Sequence, residues 1–394
     1  MSSTPTSRSA DLQLLRDEGY NVEIRTDPAY LLVHDVPYVD AHRQVRRGVL
    51  VSTLALSGDE TVAPDTHVAM FVGEVPCDQH GAPLTKIINA TGHQVLAEGL
   101  EIDHTFSSKP PEGYPDYHAK VTAYVAMLEG PAQSLEPGAT ARTFPLQLDE
   151  DDTSPFQYLD TATSRVGIGQ ATDKLRGWKV GIVGLGGTGG YVLDSLAKTP
   201  VSEIHLYDAD RMHQHSAFRA PGAVPRERLN TLKVDYFADL YGEMHKGIIR
   251  HPFFIDEDNV GKLGDLDFVF VCVDDADARR LIVDRLEVDD VPFIDVGMGV
   301  EVSNGALTGI LRTTTSTPED RATARRSLPL VKADVDNDYV HNIQVADLNM
   351  LNAALAIGRW KRHVGFYADF EGEHDSSYTI DGNRLMNEGG RSAV

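Results

Sequence analysis

The stretch Lys179–Asp194, KVGIVGLGGTGGYVLD, decides the fold. Its first half, "KVGIVGL", is a short apolar run of the kind carried by a strand buried on both faces. Five glycines follow within positions 184–190, and then an amphipathic run. A strand that enters a glycine turn and leaves as a helix is a phosphate-binding geometry. Glycine lets the backbone turn tightly and approach a ligand, and the helix N-terminus presents free N–H groups and the positive end of its dipole. The turn lacks the Gly-Lys-Ser/Thr ending of a Walker loop. Glycine turns also recur for packing alone, so the surroundings carry the reading.

Downstream, strand and helix alternate. "TGGYVLDSLAKTP" reads as a helix closed by Pro200 and "SEIHLYD" as the second strand. "RERLNTLKVDYFADLY" has helical spacing through Leu229, Leu232, Tyr236 and Leu240; "DLDFVFVCV" is another buried strand, "DADARRLIVDRLEV" a helix and "VPFIDVG" a strand. This is α/β: a doubly wound, mostly parallel Rossmann-like sheet with helices on both faces. "RTTTSTPEDRATARRS", Arg312–Ser327, is poor in apolar residues and reads as a mobile loop or crossover. "NIQVADLNMLNAALAIGRW" predicts a helix of about five turns, and "YTIDGNRLMNE" a closing strand.

Upstream, Leu146–Asp160, "LQLDEDDTSPFQYLD", holds four consecutive acids, Asp149–Asp152, before Ser and Pro, the pattern of an exposed linker. The expected organisation is a smaller strand-rich α+β domain over residues 1–150, a linker over 151–164 and the α/β domain over 165–394. In the first domain "RRGVLVSTLALSG" and "THVAMFVGEVP" read as strands, while "YHAKVTAYVAML" fits strand or helix. "IDHTFSSKPPEGYPDYHAKVTAYV" gathers His104, Asp116 and His118 as candidate metal ligands, with Ser107 and Lys109 as anion contacts; the spacing matches no metal pattern, and a Pro-Gly loop with self-satisfied polar residues explains it as well.

The 394 residues carry 36 basic and 59 acidic side chains, a net charge of −23, which repels nucleic-acid backbones and suits a basic protein partner or simple solubility. Two cysteines, Cys77 and Cys272, exclude a disulfide framework and a four-cysteine structural zinc site. The longest apolar run, in "LDFVFVCV", is too short to span a bilayer, and the polar opening "MSSTPTSRSADLQLLRDEGY" is no signal peptide. The expected setting is the cytoplasm, away from membrane and nucleic acid.

Asp208 ends the second strand about twenty residues beyond the turn, where a carboxylate accepts hydrogen bonds from ribose hydroxyls. On that spacing NAD and ATP both fit. Asp274 follows the "FVFVCV" strand, so it opens on the same sheet edge as the glycine turn and suits Mg²⁺ against phosphate oxygens. Arg219 and Lys233 suit the outer phosphates of a triphosphate. No His or Lys arrangement for hydride transfer is evident.

Together, "VGIVGLGGTGGYVLDSLAKT", "IHLYDAD", "FRAP", "LKVDYF" and "VFVCVDDADARR" resemble the ThiF and MoeB family, the adenylation fold of ubiquitin-activating enzymes, over roughly Leu175–Trp360. The resemblance implies that Gly184, Gly186, Gly187, Gly189 and Asp208 bind ATP, that Arg219 and Lys233 hold its phosphates, and that Asp274 binds Mg²⁺. Asp210 matches the second acid of the family's Asp-x-Asp pattern. Arg165, in "TATSRVGIGQ", matches an arginine supplied by the partner subunit, which implies a homodimer. The implied reaction is adenylation of the C-terminal carboxylate of a ubiquitin-like protein, with Arg312–Ser327 a candidate cover for the adenylate. Thioester transfer, with Cys77 as its site, and a conjugating enzyme are further implied steps and partners. The family's Ser-Asn-Leu-x-Arg-Gln reads "HSAFRA" here, His215–Ala220, keeping Arg219 but placing Ser216 and Ala220 where Asn and Gln stand. Its zinc-binding cysteine pairs are absent. The arrangement of the first domain before the second resembles bacterial proteins of ubiquitin-like conjugation operons, which implies a recruitment module. Two alternatives stay open: an NAD-dependent oxidoreductase on the same sheet, and a non-enzymatic scaffold with a vestigial nucleotide site.

Overall fold

The computed structural model describes residues 9–58, 60–146, 154–330 and 343–388, the side chains of Ser164 and Arg165 excepted. The chain divides into two compact units, Met1–Gln147 with Thr161–Gly167, and Leu148–Asp160 with Ile168–Val394. The acidic run Asp149–Asp152 lies outside the described residues. Just beyond it, the Lys246 amide donates to the Pro155 carbonyl and the Gln157 amide to Met244, at 2.6 and 2.9 Å, so this stretch is pinned within the second unit.

The first unit opens with helix α1 (Ala10–Asp17) and continues as strands β1 (Asn21–Thr26), β2 (Ala29–Val39), β3 (Val45–Thr53), the two-residue pair β4 (Leu56–Ser57) and β5 (Glu60–Thr61), β6 (Val68–Val72), β7 (Ile88–Ala97) and β8 (Leu100–Ser107), then helix α2 (Tyr117–Leu135). Its main sheet is antiparallel throughout, in the order β1-β2-β3-β6-β8-β7. Strict alternation along β8 buries Leu100, Ile102, His104 and Phe106. The ambiguous "YHAKVTAYVAML" is helix. Asp116 caps it by accepting from the Ala119 amide at 2.7 Å, and Tyr117, Val121, Tyr124 and Leu128 fall on one face, packed on Phe71 and Phe106.

The second unit carries one sheet of eight strands: β9 (Lys179–Val183), β10 (Glu203–Tyr207), β11 (Ile248–His251), β12 (Phe268–Val271), β13 (Phe293–Ser303), β14 (Ala306–Ser316), β15 (Asp375–Thr379) and β16 (Arg384–Glu388), ordered β11-β10-β9-β12-β13-β14-β15-β16. The first five are parallel; β13 to β16 form an antiparallel wing. Helices α3 (Gly187–Leu196), α4 (Lys233–Gly242), α5 (Ala276–Val288), α6 (Arg321–Ser327) and α7 (Ala346–His363) complete it. Val180, Ile182, Leu206 and Phe270 bury one sheet face with Leu193, Phe237 and Trp360; Val183, Val269 and Val271 bury the other with Ile282 and Leu286. Each such side chain contributes about 1.5–3 kcal/mol by leaving water. Among the described residues no helix is long and apolar enough to cross a membrane.

Three expectations are corrected. Arg312–Ser327 is no loop: its first five residues are strand β14 and its last seven are α6. The β-branched threonines suit the pleat, Thr313 and Thr314 are buried with hydrogen-bond partners, and Arg321 and Arg325 pair with Asp290, Asp284 and Glu287. Ion pairs and polar networks replace the apolar residues whose absence suggested a loop. The helix read from "RERLNTLKVDYFADLY" begins only at Lys233, because Asn230 sits at φ +67° and interrupts the run after a single 3₁₀ turn. "YTIDGNRLMNE" closes as a hairpin of two strands.

The strand order creates a switch point. From β9 the chain moves outward to β10 and β11, then returns to place β12 on the other side of β9. The turns after β9 and β12 therefore leave in opposite directions and open a crevice between them, where open α/β sheets bind ligands.

Candidate active site

Gly184 leaves β9 at φ +91°, a left-handed conformation that favours glycine, and a Cβ there would lie 2.7 Å from the Cys272 carbonyl oxygen. The turns after β9 and β12 are thus in van der Waals contact. A Cβ at Gly189 would sit 1.9 Å from the Gly184 oxygen, so this glycine lets α3 close onto the turn. Gly187 packs against Asn349, whose Oδ1 accepts from the Thr188 hydroxyl at 2.9 Å. Gly186 differs: nothing lies within 4 Å of where its Cβ would be, so space is left beside the N-terminus of α3.

That space belongs to a cavity of about 1020 Å³, lined among others by Gly184, Gly186, Gly187, Asp208, Asp210, Arg219, Lys233 and Asp274. Of the glycines named from sequence, Gly189 alone does not line it. Asp208 is buried and ties the turn: Oδ2 accepts from the Leu185 amide at 2.6 Å and Oδ1 from the Asp210 amide at 2.7 Å. Lys233, buried at the start of α4, donates to Asp210 Oδ2 at 2.7 Å and reaches Asp208 Oδ2 at 3.4 Å. Arg219 Nε is buried with no hydrogen-bond partner among the described residues. The exposed Asp274 carboxylate sits on the sheet edge beside the N-terminus of α5, which the neighbouring Asp275 caps.

Sequence reasoning missed a second group on the same cavity. Arg279, Arg312, Gln344 and Asn352 line it, and the fully buried Asp295 joins Arg279 (Nε–Oδ1, 2.9 Å) to Arg312 (Nη2–Oδ2, 2.5 Å). The only signal was Arg279, five positions beyond Asp274 in the quoted "DDADARR"; nothing local marked Asp295 or Arg312.

The other candidates fall elsewhere. The side chain of Arg165 lies outside the described residues. Cys77, in the first unit, is 1% exposed, its thiol donates to the Val75 carbonyl, and burial beside Asp40 and Asp78 raises its pKa. Cys272 lies just past the strand and lines the cavity, and burial raises its thiol pKa too. His104 bonds the Gly73 carbonyl and the Thr91 hydroxyl, Asp116 is a helix cap and His118 pairs with Glu18. Ser107 meets His67. Among the described residues no three His, Cys, Asp or Glu side chains converge as a metal site.

Two family models match the chain: a domain of unknown function (DUF6791) over residues 10–161, and the ThiF family over residues 160–351. Curated relatives include ubiquitin-like modifier-activating enzyme 5 of Caenorhabditis briggsae, 25% identical over 209 residues (49% of this chain, 47% of the relative), and that of Branchiostoma floridae, 27% identical over 171 residues (40% and 41%). The chain spans less than half the length of these relatives. Among solved structures, Escherichia coli MccB with ATP is similar at a TM-score of 0.45 and 16% identity, over 57% of this chain and 68% of that one. The E. coli tRNA N6-threonylcarbamoyladenosine dehydratase TcdA is similar at 0.42 and 16%, over 52% and 92%.

Proposed function

Residues 160–351 of this chain are a ThiF-family domain, and from that premise we propose that it adenylates the C-terminal carboxylate of a ubiquitin-like protein at the expense of ATP. The observation that carries the reading is the switch-point cavity itself, which gathers the glycine turn, Arg219, Lys233 and Asp274 on one sheet edge. The relatives' name supplies the substrate class.

In the reaction a carboxylate oxygen forms a bond to the α-phosphorus and the bond to the β-phosphate oxygen breaks, so pyrophosphate departs with the electron pair. Two anions must meet, and the site's task is alignment and charge neutralisation. The open side of Gly186 and the N–H groups of α3 receive phosphate oxygens. Arg219 offers a buried N–H that has no acceptor among the described residues. Lys233 shares its charge between Asp208 and Asp210 and is held ready for a phosphate. Asp274 would hold Mg²⁺, which supplies positive charge between phosphate oxygens; one carboxylate plus phosphates and waters is a usual Mg²⁺ set. Phe254, Ile255 and Ile282 give an apolar wall for the base. Among the described residues no histidine lines the cavity, which disfavours hydride chemistry. Cys77 is buried in the first unit and Cys272 is half-buried in the cavity wall, and this reading ends at the acyl-adenylate.

The test is ATP–pyrophosphate exchange with Mg²⁺ and purified ubiquitin-like proteins ending in Gly-Gly. Exchange that needs the intact terminus is expected, and Asp274→Ala should lower it about 100-fold with the fold retained. Wild-type exchange in that variant sinks the Mg²⁺ assignment. Tight NADH binding in place of ATP overturns the reading of the cavity, and ATP binding without exchange favours a scaffold.

A further inference from the structure

Arg312 stands on β14 directly across from Gly297 of β13, and its guanidinium occupies the place a side chain at 297 would take: a Cβ there would lie 2.9 Å from Nη2. Two groups hold it, and a third holds one of them. Nη2 donates to Asp295, Nη1 donates to the Thr314 hydroxyl at 2.5 Å, and that hydroxyl donates to the buried Asp375 at 2.5 Å. The second oxygen of Asp295 is taken by Arg279, whose two other nitrogens each donate to a carbonyl, of Val273 and Pro329. Every nitrogen of Arg279 thus has a partner and its side chain is 8% exposed, whereas Arg312 keeps 17% of its side chain exposed on the cavity.

Asp295 is shared by the two guanidiniums, and the buried Asp375 reaches Arg312 only through the Thr314 hydroxyl, so among the described residues Arg312 has no carboxylate to itself at this wall. Buried ion clusters contribute little stability, because desolvation offsets their attraction. What the cluster achieves is a cation fixed in advance, which is what recognition of an anion requires. The phosphates already have the glycine turn, Arg219 and Lys233. Gln344 lines the same cavity, and its Oε1 is buried with no donor among the described residues. A cation beside an unused acceptor complements the end of a peptide, which offers a carboxylate and the N–H of its last peptide bond.

We propose that Arg312 binds the terminal carboxylate of the substrate, with Gln344 accepting from the last peptide N–H, so that the site selects a free C-terminus. The inference rests on the adenylation reading. It is tested with the full-length protein, Mg²⁺, the non-hydrolysable ATP analogue AMPCPP, and an eight-residue peptide ending in Gly-Gly as free acid and as C-terminal amide, followed by calorimetry. Wild type should bind the acid at least about tenfold more tightly than the amide. Arg312→Gln should bring that ratio close to one with AMPCPP affinity unchanged, and Arg312→Lys should keep part of it. Unchanged AMPCPP binding certifies the fold of each variant, and Thr314→Val, which loosens the same guanidinium, serves if Arg312→Gln does not fold. A wild-type ratio of one, or an undiminished ratio in Arg312→Gln, overturns the inference while leaving adenylation standing. Failure of wild type to bind AMPCPP removes adenylation, and this inference with it.

Discussion

The two halves of the eight-stranded sheet are held together differently. In the parallel half Val180, Ile182, Ile204, Leu206 and Phe268–Val271 are all apolar and buried. In the antiparallel wing Asp295, Thr313, Thr314, Asp375 and Ser376 are buried as well, and hydrogen bonds and ion pairs take much of the place of apolar contact. Apolar burial is non-directional and tolerates approximate fit. A buried polar network holds only when each member meets its partner. The two halves should therefore break in different ways, and the cavity between them takes one wall from each.

The largest effect is expected inside the glycine turn. Gly189→Ala sets a methyl 1.9 Å from a backbone oxygen, so the turn or α3 must move, at a cost of about 4 kcal/mol or more. Gly186→Ala meets open space among the described residues and should leave the unfolding free energy from urea titration within about 0.5 kcal/mol of wild type while weakening ATP binding about tenfold. Equal destabilisation by the two would mean that the open side of Gly186 is no ligand seat.

The same contrast explains what could be read from the sequence. The parallel half was legible because its signals are local: an apolar run, a glycine turn, an acid at a strand end. Asp208 and Asp274 were placed from such signals, Arg219 and Lys233 from their positions after the second strand and on the next helix, and Asp210 from the family resemblance; all five line the cavity. The wing was not legible. Thr314 meets Asp375 across 61 positions and Thr313 meets Asn352 across 39, and neither pairing leaves a trace in the residues beside it. Arg312–Ser327 looked like a loop for that reason, and Arg312 passed unnoticed. Cys77, named only as an implied thioester site, sits in a Pro-containing turn that bridges to Val39 and Pro83 and is buried, a placement its neighbours in sequence do not signal.

Phe270→Ala probes the parallel half. The ring lies between Phe268 and Trp360, with centroids at 5.2 and 6.3 Å, and its loss should cost about 3–5 kcal/mol in equilibrium unfolding. A cost below about 1.5 kcal/mol would remove the distinction drawn between the halves.

His245 is a polar exception beside that apolar half. It is fully buried, Nε2 meets the Val201 carbonyl at 3.0 Å, and Nδ1 accepts from the Gly247 amide at 3.0 Å, so the ring is neutral with its proton on Nε2. Burial lowers its pKa from 6.5 to about 4. Below the unfolded pKa the unfolded chain binds a proton that the native ring refuses. Stability is therefore intact above about pH 6.5 and declines by about 3 kcal/mol as pH falls towards 4. Urea titrations across that range should show the decline, and His245→Gln should flatten it. His251, also lowered to about 4, by burial, His205 and Lys262, supplies the slope that remains.

A smaller change in stability than that of Phe270→Ala carries the most information about the wing. Thr314→Val keeps the shape of the side chain and removes one oxygen. Arg312 then loses an acceptor and the buried Asp375 loses a donor, which should cost about 1–3 kcal/mol. Thr314→Ser retains the hydroxyl and should recover most of it, because the loss is polar and not volumetric. If the wing serves only to close the sheet, both variants should behave alike in peptide binding once melting is accounted for. If it holds Arg312 in place for a carboxylate, Thr314→Val should lower the acid-to-amide binding ratio with AMPCPP affinity intact, and Thr314→Ser should restore it. A methyl in place of a hydroxyl then separates a network that supports the fold from one that supports the site.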